Sequence, residues 1–236
     1  MSTGHEVRKV SIDPDDDYYE MLDHGYVRFV DKLGSDEKIV QAARTSYNGV
    51  SKGEAADRKL LRYLFLNAHT SPFEMASITF EIYMPIFVAR QIMRHRTARF
   101  NEMSGRYTEM PEDCYVPSLL RVQDKKNKQG SVPCEGFVEP ISQFQFIAKV
   151  SFETYRRLLE QGVCREQARM VLPLGTYTKV VMNIDLNNLI KFLRLRDHSH
   201  AQWETQQYAV AMKKIAARHF PWTMEVFEDS LSTYEE

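Results

Sequence analysis

An arginine-rich segment, residues 94–107 (RHRTARFNEMSGRY), carries the side chains of this sequence that are best suited to chemistry. It holds four arginines and one histidine within fourteen residues. Guanidinium groups bind phosphate and carbonyl oxygens in a bidentate manner, which the point charge of a lysine cannot do. Phe100, Met103 and Tyr107 interrupt the charges, so part of the segment should be buried. The pattern favours an anion-binding site over its alternative, a solvated basic face.

Three consecutive residues in this segment have the composition of a phosphate anchor. Ser104 offers a hydroxyl, Gly105 an unobstructed backbone N–H and Arg106 a guanidinium. Groups of this kind form concave anion sites. Ser104 as a nucleophile is the alternative, but no GxSxG elbow surrounds it. The anchor also accounts for Gly105 and Arg106, so we favour it.

Other residues that could bind a nucleotide or a metal, or act as a nucleophile, lack the neighbouring residues that those functions require. No GxGxxG follows a predicted strand and no GxxxxGK[ST] occurs, so neither a Rossmann site nor a P-loop explains nucleotide binding. His198 and His200 would point apart on a helix and have no third ligand nearby, so we expect no metal site. Cys114, Cys134 and Cys164 have no local base, and we expect inert thiols.

The arginine-rich segment resembles the hallmark of the flavin-dependent thymidylate synthases. In that family an Arg-His-Arg triplet is followed after seven residues by serine, and here Arg94-His95-Arg96 is followed by Ser104. Residues 101–107 match the continuation NExSGRY. Further matches occur in the family's order: HTSPFE at 69–74, PIFVARQ at 85–91, REQAR at 165–169, LP at 172–173, LR at 195–196 and SHAQ at 199–202. The resemblance covers residues 25 to 225 approximately.

The resemblance implies an enzyme that methylates dUMP to dTMP without a cysteine nucleophile. Methylenetetrahydrofolate would supply the carbon, FAD reduced by NADPH would supply the hydride, and tetrahydrofolate would be released. A fixed guanidinium would stabilise negative charge on uracil N3 and the carbonyl oxygens, so that C5 can attack. Arg196 stands where the family places that arginine. The alternative is a non-catalytic module that binds RNA or nucleotides through Arg94-His95-Arg96, and the formal net charge of -1 argues against it.

The resemblance also assigns binding roles, motif by motif. The residues implied for the flavin are Ser71, Arg94, His95, Arg96, Glu102, Asp185, Leu186, Asn187 and Lys191. Those implied for dUMP are Gln91, Ile92, Met93, Arg94, Glu102, Met103, Ser104, Gly105, Arg106, Arg169 and Arg196. The sequence departs from the family's common residues at Met75, Arg99 and Lys191. Because the family is a homotetramer with shared active sites, some contacts would come from a neighbouring subunit.

Sequence periodicity predicts the elements that position these residues. Strands are expected at 26–30, 78–84 and 176–184, and helices at 36–43, 55–68, 140–161, 186–195 and 201–218, with one more after Pro85 that carries Gln91 and Arg94. Lys125 to Gly130 should be a loop. The apolar Phe144, Ile147, Tyr155 and Leu158 predict core or a subunit interface. The fold class is α+β: helix-rich, with a small, mostly antiparallel sheet.

Composition narrows the class of protein. The chain has 236 residues, of which 43% are hydrophobic and 27% charged, which is ordinary for a soluble globular protein. No apolar run approaches the roughly 18 residues of a membrane helix, and the acidic N-terminus lacks the apolar core of a signal peptide. Three scattered cysteines fit a reducing compartment. We expect one cytoplasmic domain over residues 1–236, with residues 1–20 as an acidic tail.

Overall fold

A five-stranded antiparallel sheet lies at the centre of the computed structural model, which describes residues 17–125, 128, 130–134 and 139–232. The order of its strands is β1-β2-β3-β7-β4, and every neighbouring pair is antiparallel. A separate hairpin pairs β5 with β6. The strands are β1 (Tyr18–Met21), β2 (Gly25–Leu33), β3 (Ser77–Pro85), β4 (Arg99–Glu102), β5 (Arg121–Gln123), β6 (Ser131–Pro133) and β7 (Tyr177–Asp185).

Eight helices occur in the described residues: α1 (Asp36–Arg44), α2 (Glu54–Leu66), α3 (Ile86–Ile92), α4 (Glu139–Glu160), α5 (Arg165–Ala168), α6 (Leu186–Arg196), α7 (Trp203–His219) and α8 (Pro221–Ser232). Of these, α3, α6 and α7 pack against the strands of the sheet. Alternate residues of β3, such as Phe80 and Ile82, are fully buried and share one apolar cluster with Phe192 of α6 and Met212 of α7. The prediction of one helix-rich α+β domain with a small antiparallel sheet is confirmed.

Local signals placed most helix boundaries correctly. Ser35 caps α1, and its Oγ accepts a hydrogen bond from the Lys38 N–H over 3.4 Å. Asp185 caps α6 in the same way, with Oδ1 accepting from the Asn188 N–H over 3.0 Å. Gly162 has a φ of +82° where the chain leaves α4, a conformation that glycine adopts without strain.

The C-terminal helical region differs from the prediction of one last helix over residues 201–218. A helix does span Trp203–His219, but α8 follows it. Pro221 cannot continue α7, because it has no N–H and its ring clashes with the preceding turn. The Asp36 carboxylate accepts from the backbone N–H groups of Trp222 and Thr223 over 2.8 and 3.2 Å. A residue at the other end of the chain therefore caps α8.

Three further expectations need correction. Arg94 does not lie on the helix after Pro85, because α3 ends at Ile92 and Arg94 belongs to the turn that follows. Strand β4 was not predicted, since its sequence RFNE lacks apolar alternation. The acidic tail is shorter than residues 1–20: β1 starts at Tyr18, whose neighbour Tyr19 is buried, and residues 1–16 lie outside the described part of the chain.

The predicted loop from Lys125 to Gly130 lies between β5 and β6, with residues 126, 127 and 129 outside the described residues. The apolar residues predicted as core or interface on α4 divide between two environments. Tyr155 and Leu158 pack in a small cluster with Met110, whereas Phe144 and Ile147 are exposed. Of the helices in the described part of the chain, none combines the length and apolarity needed to cross a membrane.

Candidate active site

A cavity of about 370 Å³ collects six of the residues predicted to bind dUMP. Five of them, Glu102, Met103, Ser104, Gly105 and Arg106, come from the end of β4 and the turn after it. The sixth, Arg169, lies where α5 gives way to a short 3-10 turn. Residues separated by more than sixty positions in sequence thus meet in one wall, as the resemblance implied for a nucleotide site.

The turn at Ser104 is organised as an anchor. Its carbonyl accepts hydrogen bonds from the N–H groups of Tyr107 and Thr108 over 3.0 and 3.1 Å, and its Oγ accepts from the Arg106 N–H over 3.3 Å. Gly105 is buried, and a Cβ there would lie 2.7 Å from Met110 Sδ. A larger residue at this position would therefore have to displace the side chain of Met110. Among the described residues, no base hydrogen-bonds to Ser104 Oγ, which agrees with an anchor rather than a nucleophile.

The two cations of the cavity differ in their partners. Arg106 Nε lies 3.2 Å from Glu166 Oε2, and both side chains are more than half exposed. Such an exposed pair contributes little to stability, so Arg106 can exchange it for another anion. Arg169 forms no ion pair or side-chain hydrogen bond with any residue that the structure describes. Its free guanidinium makes this wall of the cavity suited to a phosphate.

Thr178 is a cavity residue that the sequence reasoning missed. Its hydroxyl is buried and donates to Glu102 Oε1 over 2.8 Å. Strand β4 pairs with β7 so that Glu102 lies opposite Val180, which brings Thr178 next to the carboxylate. The sequence shows Thr178 only as one β-branched residue of a strand, so no local signal identifies it. Its bond fixes the Glu102 carboxylate at the edge of the cavity.

Arg196 and His95 contact each other beside the C-terminal end of α6. Arg196 Nε donates to His95 Nε2 over 3.0 Å, and Nη2 donates to the Gln91 carbonyl over 3.2 Å. Burial, together with the nearby Arg196, lowers the pKa of His95 to about 4. The imidazole is therefore neutral at pH 7, with its proton on Nδ1 and Nε2 free to accept. Burial also lowers the pKa of Arg196, with a further contribution from Arg94.

The charge of Arg196 has no carboxylate partner among the described residues. A half-buried cation in this situation interacts with developing negative charge more strongly than it would in water. The simple alternative is a cation that favours the carbonyl end of α6. The two hydrogen bonds to His95 and Gln91 hold the guanidinium away from that end, so the capping role does not account for its position.

The predicted flavin residues fall into separate groups. Arg94 and Arg96 are exposed and form no ion pair with another described residue. A second cavity, of about 140 Å³, is lined by Asn187 and Lys191 together with Thr70, the residue before Ser71. No residue lines both cavities. Within one chain, the structure therefore does not bring the Asn187 and Lys191 group together with Arg106 and Arg169.

Several predicted residues already have a structural role. Both Asp185 carboxylate oxygens accept bonds from Asn188 as they cap α6. The side chains of Leu186 and Ile92 are fully buried in the core, so each could meet a ligand only through its backbone. Met93 and Met103 are half-buried, and Met103 lines the larger cavity.

Other predicted residues can be placed in the same way. Arg99, a departure from the family pattern, donates to Asn183 across the β4–β7 pair over 3.2 Å. His198 and His200 lie between α6 and α7, and their rings make an edge contact with centroids 4.7 Å apart. No group of three potential metal ligands occurs among the described residues. Burial raises the pKa of Cys114 to about 11, so that its thiol stays protonated at neutral pH.

Comparison with known proteins identifies the family of the chain. The family model described as "Thymidylate synthase complementing protein" matches residues 28–222. Flavin-dependent thymidylate synthases from Thermus thermophilus and Thermotoga neapolitana are each 46% identical to the chain, over 211 and 207 residues. These matches cover 89% and 88% of the chain and 78% and 92% of the relatives.

Solved structures extend the similarity. A UMP/dUMP methylase, PolB from Streptomyces cacaoi bound with 5-Br dUMP, superposes with a TM-score of 0.79 at 37% identity. The match covers 89% of this chain and 97% of that one. The same enzyme bound with 5-Br UMP gives a TM-score of 0.78 at 38% identity, over 89% and 96% of the two chains. Because the family model matches most of the chain and the relatives are 46% identical over 88–89% of it, this chain belongs to the flavin-dependent thymidylate synthase family.

Proposed function

We propose that this protein catalyses the reductive methylation of dUMP to dTMP, with methylenetetrahydrofolate as carbon donor and FAD and NADPH as the source of hydride. The observation that carries the proposal is the cavity that gathers Glu102, Ser104, Gly105, Arg106 and Arg169. Because its relatives are thymidylate synthases, the alternative of a non-catalytic RNA-binding module is set aside.

The cavity supplies the groups that a nucleoside monophosphate requires. The dUMP phosphate lies against the unpaired guanidinium of Arg169 and against Arg106, which gives up Glu166 to bind it. Gly105 lets the backbone approach closely, because no side chain stands between it and the ligand. Glu102, held by Thr178, is placed to accept hydrogen bonds from the sugar or the base.

Arg196 is the residue that activates the uracil ring. Its Nε and Nη2 are committed to His95 and Gln91, which leaves Nη1 without a partner among the described residues. Nη1 donates to a uracil carbonyl and stabilises the negative charge that grows as C5 attacks the methylene carbon. His95 remains neutral, so it holds Arg196 in place and adds no second charge.

The exposed cations near this site fit a flavin dinucleotide. Arg94 and Arg96 carry unpaired guanidinium groups that suit a diphosphate, and Asn187 and Lys191 line the neighbouring smaller cavity near Ser71. When bound, reduced FAD supplies the hydride that completes the methyl group, and NADPH reduces it again. The remaining flavin assignments, His95, Glu102, Asp185 and Leu186, are part of the same proposal.

A homotetramer with shared active sites completes the proposal. Two observations support it: the two cavities share no lining residue, and α4 exposes the apolar side chains of Phe144, Phe146 and Ile147. A neighbouring subunit can then place its flavin-binding residues beside this subunit's dUMP cavity. We also propose that residues 1–236 form one domain and that the protein works in the cytoplasm.

Product analysis tests the activity directly. Purified protein with dUMP, methylenetetrahydrofolate and NADPH should form dTMP and tetrahydrofolate in equal amounts, and NADPH oxidation should match them. Chromatography of the folates distinguishes tetrahydrofolate from dihydrofolate. Stoichiometric dihydrofolate would show that the folate, and not the flavin, supplies the hydride, and the proposed route would then be wrong.

A further inference from the structure

Four half-buried side chains form a line of hydrogen bonds that starts at Gln91. Gln91 Nε2 donates to Gln202 Oε1, and Gln202 Nε2 donates to Glu204 Oε2 over 2.9 Å. Tyr115 Oη donates to Glu204 Oε1 over 3.3 Å. Gln91 lies on α3, Gln202 and Glu204 at the start of α7, and Tyr115 in the segment between β4 and β5. Three separate parts of the chain thus meet behind Gln91.

The carboxylate of Glu204 sets the direction of every bond in this line. An ionised carboxylate only accepts hydrogen bonds. Gln202 must therefore turn its NH₂ group towards Glu204 and its Oε1 towards Gln91. Gln91 in turn must point its own NH₂ group at Gln202. The orientation of an amide is often ambiguous, but here the charge at the end of the line decides it.

The consequence is that Gln91 Oε1 is left as an acceptor, with no partner among the described residues. The backbone carbonyl of the same residue accepts from Arg196 Nη2 over 3.2 Å. The free amide oxygen therefore lies on the residue that also fixes the arginine assigned to the uracil ring.

We propose that Glu204, acting through Gln202, fixes the hydrogen-bonding polarity of Gln91 and thereby makes the site select uracil over cytosine. The inference rests on the proposed function and on the contact between Gln91 and dUMP that the family resemblance implies. Uracil presents an N–H donor at N3, which an amide oxygen accepts. Cytosine presents a bare acceptor at N3, and two acceptors facing each other leave both unsatisfied. Glu204 and Gln202 are positioning residues that need not touch the nucleotide.

The Glu204→Gln substitution should reverse the line. The new amide oxygen can keep the bond from Tyr115, and its NH₂ group then donates to Gln202 Oε1. Gln202 turns its NH₂ group to Gln91, and Gln91 presents an NH₂ donor to the base. The ratio of the dissociation constants of dCMP and dUMP should fall by about tenfold or more, the effect of one mismatched buried hydrogen bond. If Glu204 served only in packing, the substitution would weaken the binding of both nucleotides equally.

The measurement is calorimetric titration of flavin-loaded protein with dUMP and with dCMP, at matched flavin content and melting temperature. Tyr115→Phe is the matched control, because it removes a bond to the same carboxylate and leaves the carboxylate in place, so the ratio should not change. Gln202→Met keeps the length of the side chain without its amide and should lower the ratio severalfold. Gln202→Met serves as the test of this proposal if Glu204→Gln does not fold.

Two outcomes separate this inference from the proposed function. If Glu204→Gln binds dUMP with an unchanged ratio of the dCMP and dUMP dissociation constants, the role of Glu204 is overturned and the proposed function stays intact. If Glu204→Gln does not fold, the same result in Gln202→Met has the same meaning. An equal loss of affinity for both nucleotides would overturn the role of Glu204 as well. A wild-type protein that binds no dUMP would refute the proposed function, and the inference with it.

Discussion

At the scale of single residues, Arg196 combines burial with two directed hydrogen bonds. A guanidinium can donate in two directions at once, to His95 through Nε and to the Gln91 carbonyl through Nη2. A lysine carries the same charge at one atom and cannot hold that orientation. Geometry, more than charge alone, is therefore what the site requires of this residue.

Arg196→Lys should consequently fold and retain flavin, yet lose about 10²–10³ in kcat, as for removal of an oxyanion donor. Steady-state turnover at saturating dUMP measures this loss. Arg194→Lys is the matched control, because Arg194 lies on the same helix and faces the ring of Phe65. Since Arg194 also lines the smaller cavity, the two variants are compared at equal flavin content, where Arg194→Lys should keep a normal kcat. Near-normal kcat in Arg196→Lys, at normal flavin content, would contradict the role of Arg196.

His95 makes the stability of the protein depend on pH. Its pKa is about 4 in the folded protein, against 6.5 for an ordinary histidine. Between these values the unfolded chain binds a proton that the folded chain does not, so the free energy of unfolding falls as pH drops from 6.5 to 4. One such group adds at most about 1.4 kcal/mol per pH unit, and less at this half-buried site.

His95→Gln should reduce this acid sensitivity, because the amide does not titrate and its oxygen can still accept from Arg196. Urea unfolding of both proteins at several pH values between 4 and 7.5 measures it. The free energy of unfolding of the variant should change less over this range, while the two slopes agree above pH 7. Parallel curves throughout would mean that His95 is not buried in its neutral form.

At the scale of elements, the junction of α5 with the following 3-10 turn separates two arginines of one short segment. Arg169 lines the proposed dUMP cavity. Arg165 lies at the opposite end of α5, where it is 4.0 Å from Glu109 and outside that cavity. The same piece of backbone thus directs one arginine to the cavity and the other away from it.

Arg169→Ala should weaken dUMP binding by about 1.5–3 kcal/mol, the range for hydrogen bonds to charged groups. The loss should be smaller for deoxyuridine, which has no phosphate. Arg165→Ala is the control and should leave both affinities within a factor of two or so. Titration of each variant with dUMP and with deoxyuridine measures these affinities. If Arg169→Ala lost equal affinity for the two ligands, Arg169 would not bind the phosphate.

At the scale of the whole molecule, α4 divides its apolar residues between two surfaces. Tyr155 closes a small cluster with Met110 and Ala168. Phe146 is 63% exposed and Ile147 54% exposed, and they border a hollow on the outside of the helix. An apolar surface of this kind favours association with another protein surface, which the proposed tetramer supplies.

Phe146→Glu should therefore break the assembly, because it places a charge in an apolar interface. Light scattering after size exclusion should show dimers or monomers, and dTMP formation should fall more than about tenfold because the active sites are shared. Val132→Glu adds the same charge to an exposed apolar position of the β5–β6 hairpin and should remain tetrameric. An active tetramer of Phe146→Glu would exclude α4 from the interface.

The sequence alone determined the features that depend on neighbours in the chain. Alternation of apolar residues located β3, β-branched residues located β7, and Ser35 and Asp185 marked the starts of α1 and α6. The Arg-His-Arg triplet and Ser104 identified the family, because the whole motif lies in one segment. Periodicity and capping act over a few residues, so they are visible without a fold.

Only the tertiary structure decided which distant side chains meet. Glu102 and Thr178 are far apart in sequence and 2.8 Å apart in space, since antiparallel pairing of β4 with β7 sets their register. The start of α8 depends on Asp36, 187 positions before Thr223 in the chain. Gln202 and Glu204 gained a role only beside Gln91. Such contacts depend on how elements pack, which local propensities do not encode.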